Sequence, residues 1–275
     1  MNTVLVPTDF SKTADNALSY AIDLAKTYNL QVTLFHAVSL ANIGSVNSVH
    51  ATDNGERLLA DANFRMSEMV THLRKLHPEV NFFQVTRIGL MLDILDELCK
   101  EILPIAIVMG ITGAGSSFDK VVGSNALNAM QNLNYPLIIV PKDTVFKPIE
   151  KIAFACDLKQ VVASTPLVSI RAFAKLFNAE VQVLNVDYQN RNYTPATPEE
   201  LTHLDNMLED TRHSFHFIEN ENIQSALNEF VDENNIDLLL MLPKKHNLWQ
   251  NLFKKSQTKQ MAYHSRVPVL ALHLD

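Results

Sequence analysis

A chain of 275 residues, 47% hydrophobic and 19% charged, has the composition of a globular protein and enough length for one large domain or two ordinary ones, which argues against disorder. Its formal charge of −7 is shared almost evenly, with 10 basic and 14 acidic residues up to position 143 against 13 and 16 beyond it, a balance that argues against a protein that coats DNA. Apolar runs such as ILPIAIVM are too short to span a bilayer, VLVP follows Met1-Asn2-Thr3 without a basic leader, and Cys99 and Cys156 lack CxxC or metal-ligand spacing; a cytosolic (cytoplasmic) protein with no membrane, disulfide framework or structural zinc is expected.

Along the chain, apolar runs of strand length alternate with stretches of helical period, the pattern of β-α-β units around a parallel sheet. In order come a strand TVLVP, a helix through NALSYAIDLAKTY, a strand QVTLFHA, a helix on Leu59, Ala62, Met66, Val70 and Leu73, and a strand NFFQVT. The helix DILDELCKEI, the strand IAIVM, a helix near Ala126 to Met130 and the strand LIIV complete five strands and four helices. The pattern then starts again. KIAFACD echoes TVLVPTD, AKLFNAEVQVLNV echoes AKTYNLQVTLFHA, ALNEFVDENNIDLLLM echoes ILDELCKEILPIAIVM, and RVPVLAL echoes NYPLIIV. From Ile94 onward the offset between copies is a constant 132, which pairs Met109 with Met241 and Pro136 with Pro268. Two tandem domains follow, 1–143 and 149–275, joined between Pro141 and Pro148. The polar segments Ser39 to Glu56 and Asp187 to Pro198, each after the second strand of its copy, read as surface loops at the carboxyl end of the sheet, where they could cover a ligand.

The chain has only 7 glycines, yet Gly110, Gly113, Gly115 and Gly123 crowd into MGITGAGSSFDKVVGSN and none follows. Glycine is used where backbone takes positive φ or is closely approached. In an open parallel sheet, ligands bind beyond the carboxyl ends of the strands where the strand order reverses. If the order is 3-2-1-4-5, the exit of strand one (VPTDFS) and the glycine loop after strand four line one crevice, so that Asp9 and Gly110 face the same ligand. Loop amides together with the free N–H groups of the following helix form a donor surface suited to phosphate. Ser124 suits either a phosphate contact or a helix cap, and Asp9 either a ligand contact or an acidic group at a helix N-terminus.

Gly110, Gly113, Gly123 and Ser124 match G-x-x-G-x9-G-[ST] without a gap, and here the sequence resembles the universal stress proteins in their tandem two-domain form. The resemblance implies an α/β fold of two flavodoxin-like (Rossmann-like) domains, each a five-stranded parallel sheet of order 3-2-1-4-5 flanked by helices. It also implies a dimeric packing of domains, here an intrachain pseudo-dimer with a homodimer as a further expectation, and ATP or AMP as ligand, with magnesium as a companion ion. Asp9, with Pro7, Thr8 and the backbone near Val38, would hold the adenosine. Gly113, Gly123 and Ser124 would hold phosphate, flanked by Met109, Gly110 and Asn125. Where some members carry a basic residue just after the second glycine, this chain has Ala114, with Asp119 and Lys120 further along the loop.

In the second copy the three glycine positions hold Leu242, Lys245 and Lys255; Asp157 and Ser256 persist, and Cys156 stands opposite Thr8. A degenerate second nucleotide motif is expected. Lys244, Lys245, Lys254, Lys255, Lys259 and Arg266 gather around Trp249 with no acid after Asp237 until Asp275, which reads as a partner surface or a solvated face. No Walker A lysine, GxSxG or HExxH is present, so a regulatory nucleotide binder is favoured over a slow ATPase or a ligand-free scaffold.

Overall fold

The computed structural model describes residues 2–39, 51–111, 124–191, 193–243 and 265–274. The first half runs β1 (Thr3–Pro7), α1 (Lys12–Tyr28), β2 (Gln31–Val38), α2 (Ala51–Leu76), β3 (Phe82–Ile88), α3 (Met91–Ile102), β4 (Ala106–Ile111), α4 (Ser124–Asn132) and β5 (Leu137–Pro141). The second runs β6 (Lys151–Ala155), α5 (Val161–Ser164), α6 (Leu167–Phe177), β7 (Glu180–Asp187), α7 (Thr197–Met207), β8 (His213–Glu219), α8 (Ile223–Glu233), β9 (Leu238–Met241) and β10 (Val269–Ala271).

Helix α1 shows how the sequence sets an element. Ser11 caps its start by accepting the Ala14 N–H at 3.2 Å, Ala14, Ala17, Leu18, Ala21, Ile22 and Ala25 bury one face, and Asn29 closes it in the left-handed region (φ 52°). Its counterpart is interrupted. Pro166 has no N–H to continue a helix, so the segment splits into α5 and α6 before Asn178 closes it at the same φ of 52°.

The strands form one ten-stranded sheet, β3-β2-β1-β4-β5-β10-β9-β6-β7-β8. Each half is parallel and has the expected 3-2-1-4-5 order, a flavodoxin-like arrangement. The halves meet where β10 runs antiparallel to β5, Leu270 opposite Ile138, so each apolar terminal strand covers the other. Two buried clusters sandwich the sheet, and both run through the two halves: α1, α2, α6 and α7 lie over one face, α3, α4 and α8 over the other.

Two expectations change. β4 continues past Met109 through Gly110 and Ile111, which pair with Val140 and Pro141, so Gly110 is the penultimate strand residue and not the start of the loop. α2 begins at Ala51, so the last residues of the Ser39 to Glu56 segment are helical in spite of their polar composition.

Candidate functional site

β1 delivers the chain into a tight turn. The Thr8 N–H extends the ladder to Phe35 O (2.8 Å), the Thr8 hydroxyl accepts the Phe10 N–H (3.0 Å), and the Asp9 carboxylate accepts the Ser11 N–H (3.0 Å). These bonds hold Phe10 at φ 61°, a left-handed conformation that a large side chain adopts only when its surroundings enforce it. The turn leads directly into the N-terminus of α1. Thr8 is buried beneath it, while Asp9 is exposed with a single oxygen engaged by the turn.

His36 of β2 completes the arrangement. Its Nδ1–H donates to the Thr8 carbonyl at 2.7 Å, and because a carbonyl only accepts, this bond fixes the tautomer of the neutral ring. The ring lies 4.7 Å from that of Phe10, and the Arg65 guanidinium sits 4.0 Å from the Phe10 ring centre. None of His36, Phe10 and Arg65 was singled out from the sequence. In VTLFHA, His36 reads only as one more residue of an alternating strand.

The register Val4 to Ala106 and Leu5 to Ile107 makes β4 the neighbour of β1. A Cβ on Gly110 would fall 2.3 Å from the Thr13 carbonyl oxygen, a distance no side chain tolerates. The first turn of α1 therefore rests on bare β4 backbone, which accounts for this glycine whatever fills the crevice. Gly89 is a second special position, also missed: its φ of +146° turns the chain from β3 into α3, and its N–H donates to the Val38 carbonyl at 3.0 Å.

Of the residues picked from sequence, Pro7, Thr8, Asp9, Val38, Met109 and Gly110 lie at the carboxyl ends of β1, β2 and β4, with Val38 and Met109 buried. α4 opens at Ser124 with Asn125 exposed beside it. Gly113, Gly115 and Gly123 fall outside the described residues, as do Ala114, Asp119 and Lys120 and, in the second half, Lys244, Lys245, Trp249, Lys254, Lys255, Ser256 and Lys259.

The second half rebuilds the turn with other atoms. The Cys156 N–H donates to Leu184 O (2.9 Å), the Cys156 sulfur accepts the Leu158 N–H (3.4 Å), the Asp157 carboxylate accepts the Lys159 N–H (3.2 Å), and Leu158 sits at φ 52°. The Asn185 amide donates to the Cys156 carbonyl at 3.0 Å, as His36 does to Thr8. Beside this turn, Cys156, Asp157, Leu184, Val186, Ile223 and Leu227 enclose a cavity of about 20 Å³, room for about one water and far too little for a purine.

Among the described residues, no three metal-ligating side chains gather, and no helix is long and apolar enough to cross a membrane. Burial pushes the Cys99 thiol up to about 12, so it stays protonated and unreactive.

Residues 1–141 match the family model described as the universal stress protein family. A universal stress protein from Archaeoglobus fulgidus DSM 4304 superposes on the whole chain with a TM-score of 0.74 and 16% identity, covering 100% of this chain and 99% of that one. A putative universal stress protein from Pseudomonas aeruginosa UCBPP-PA14 gives 0.59 at 9% identity over 99% and 93%. A functionally unknown protein from Pseudomonas aeruginosa PAO1 gives 0.60 at 9% over 100% and 93%. These similarities establish the fold along both halves. No curated protein matches the sequence.

Proposed function

The chain belongs to the universal stress protein family, and from that premise we propose that its first half, residues 1–143, binds an adenine nucleotide, ATP or AMP, as a regulatory ligand, while residues 149–275 form a second domain that does not. What supports this reading is the parallel pairing of β1 with β4, which sets their carboxyl ends side by side, so that the Asp9 turn lies next to Ile111, the strand residue from which the glycine-rich sequence continues. The groups available fit the ligand. Asp9 is exposed with an oxygen free of the turn and suits a sugar hydroxyl. In the sequence, Gly113 and Gly123 ahead of α4 are backbone without a Cβ, which suits phosphate, and Ser124 is the first residue of α4. Magnesium would depend on the phosphates and water, since the described residues offer only the lone Asp9 carboxylate there.

One observation favours a second reading. The Cys156 to Lys159 turn survives without any glycine loop behind it, so the turn alone is a fold element, and a ligand-free scaffold would retain it as well. Heating the purified protein separates the two: adenine nucleotide in the supernatant supports the first, and a protein that neither releases nor takes up nucleotide supports the scaffold.

A further inference from the structure

The seam between the halves holds an open groove of about 470 Å³ beside the carboxyl end of β5, within the size range of small-molecule sites and placed, as many of them are, at a domain junction. Four chain segments wall it: Tyr20 of α1, the connector from Pro141 to Lys147, the end of α8 with Asp237, and Ser265 to Pro268 leading into β10.

These walls are fixed. The Pro141 carbonyl accepts the Asn16 side-chain amide at 3.0 Å, Phe146 meets Tyr20 edge-on at 5.2 Å, and the Ile149 N–H donates to the Tyr28 hydroxyl at 2.8 Å. On the other side, one Asp237 oxygen accepts the N–H groups of Glu150 and Lys151.

The lining contains three carboxylates, and each already has a partner. Asp232 pairs with Arg266, Asp143 lies 3.8 Å from Lys142, and Asp237 holds its two amides. Two donors do not. No carboxylate of the described residues lies within 4.0 Å of Lys147, and the hydroxyl of Tyr20, a residue only 2% exposed, bonds to none of them. Burial, with Tyr28 and Asp237 nearby, pushes the Tyr20 phenol far above its ordinary range, so it remains a neutral donor at any physiological pH. Val145, 79% exposed at this groove, adds an apolar surface.

We propose that this seam groove binds a small organic anion, a carboxylate or a phosphomonoester, whose charge meets Lys147 and whose oxygen accepts from the Tyr20 hydroxyl. Such an anion would accept from the Tyr20 hydroxyl and draw in the exposed Lys147 side chain, and a bound molecule would bridge elements of both halves. The site is separate from the nucleotide crevice and does not depend on that reading.

The test is calorimetric titration of the full chain with pyruvate, with glycerol 3-phosphate, and with glycerol as a neutral control. At least one of the two anions is expected to saturate and glycerol is not; which anion binds names the headgroup. Lys147→Ala and Tyr20→Phe, the latter retaining the ring that packs on Phe146, should each weaken binding at least about tenfold. Gly123→Val should leave it unchanged, which separates this site from the crevice. Saturation by neither anion, equal binding of glycerol, or wild-type affinity in both variants would overturn the proposal.

Discussion

His36 and Asn185 occupy equivalent places in the two halves and make the same bond by different chemistry, a ring Nδ1–H and a side-chain amide each donating to the carbonyl of the residue that follows the first strand, at 2.7 and 3.0 Å. The two copies of the chain thus agree on the bond and not on the residue. His36→Asn should therefore be tolerated, whereas His36→Leu strands a carbonyl and should cost about 1–3 kcal/mol. Urea denaturation of both variants checks this; equal loss in the two would mean that ring packing on Phe10, and not the hydrogen bond, is what counts.

Gly110→Ala should be destabilising even without ligand, by about 1–3 kcal/mol or more, because the new methyl would sit 2.3 Å from the Thr13 carbonyl oxygen. An alanine variant with wild-type stability would show that α1 does not bear on β4 as described.

Part of this was legible beforehand. The alternation of strand and helix periods and the 132-residue offset carried the two parallel halves, and the 3-2-1-4-5 order came from the resemblance to the universal stress proteins. The pairing of β5 with β10 covers two apolar terminal strands, LIIV and VLAL, and fits the dimeric packing that the resemblance implies. What failed to show was which backbone approaches which. At Gly110 the sequence does not reveal that Thr13 comes within reach of β4, a packing reason for glycine that holds with or without a ligand. The polar, glycine-containing ATDNGER has the composition of a loop, yet Gly55 is buried within α2 and local propensity gives way to packing. The role of His36 does not show in the sequence, because strand periodicity says which face a side chain takes, not which carbonyl it meets.

The halves should not part easily. β5 and β10 bury Ile138 and Leu270 against a core shared by both, so fragments 1–143 and 149–275, expressed separately, should associate when mixed. Size-exclusion chromatography with light scattering checks this, and two stable, non-associating monomers would contradict it.

His213 gives a pH dependence. Burial alone would lower its pKa, but the Thr211 carbonyl at 2.8 Å and the Asp205 carboxylate at 2.9 Å accept from both ring nitrogens and together raise it above 6.5. The stabilisation is therefore complete below 6.5 and is lost as pH rises through the raised folded value. An NMR titration of the His213 ring should give a pKa above 6.5 that falls in Asp205→Asn. A value at or below 6.5 in the unaltered protein would refute the assignment.

The central claim is one adenine nucleotide per chain, in the first half. Calorimetric titration of nucleotide-free protein with ATP and with AMP tests it most directly. Saturation near one equivalent is expected, with binding abolished in Gly123→Val and unchanged in Asp157→Asn. Two equivalents, undiminished binding in Gly123→Val, or no binding of either nucleotide would contradict it.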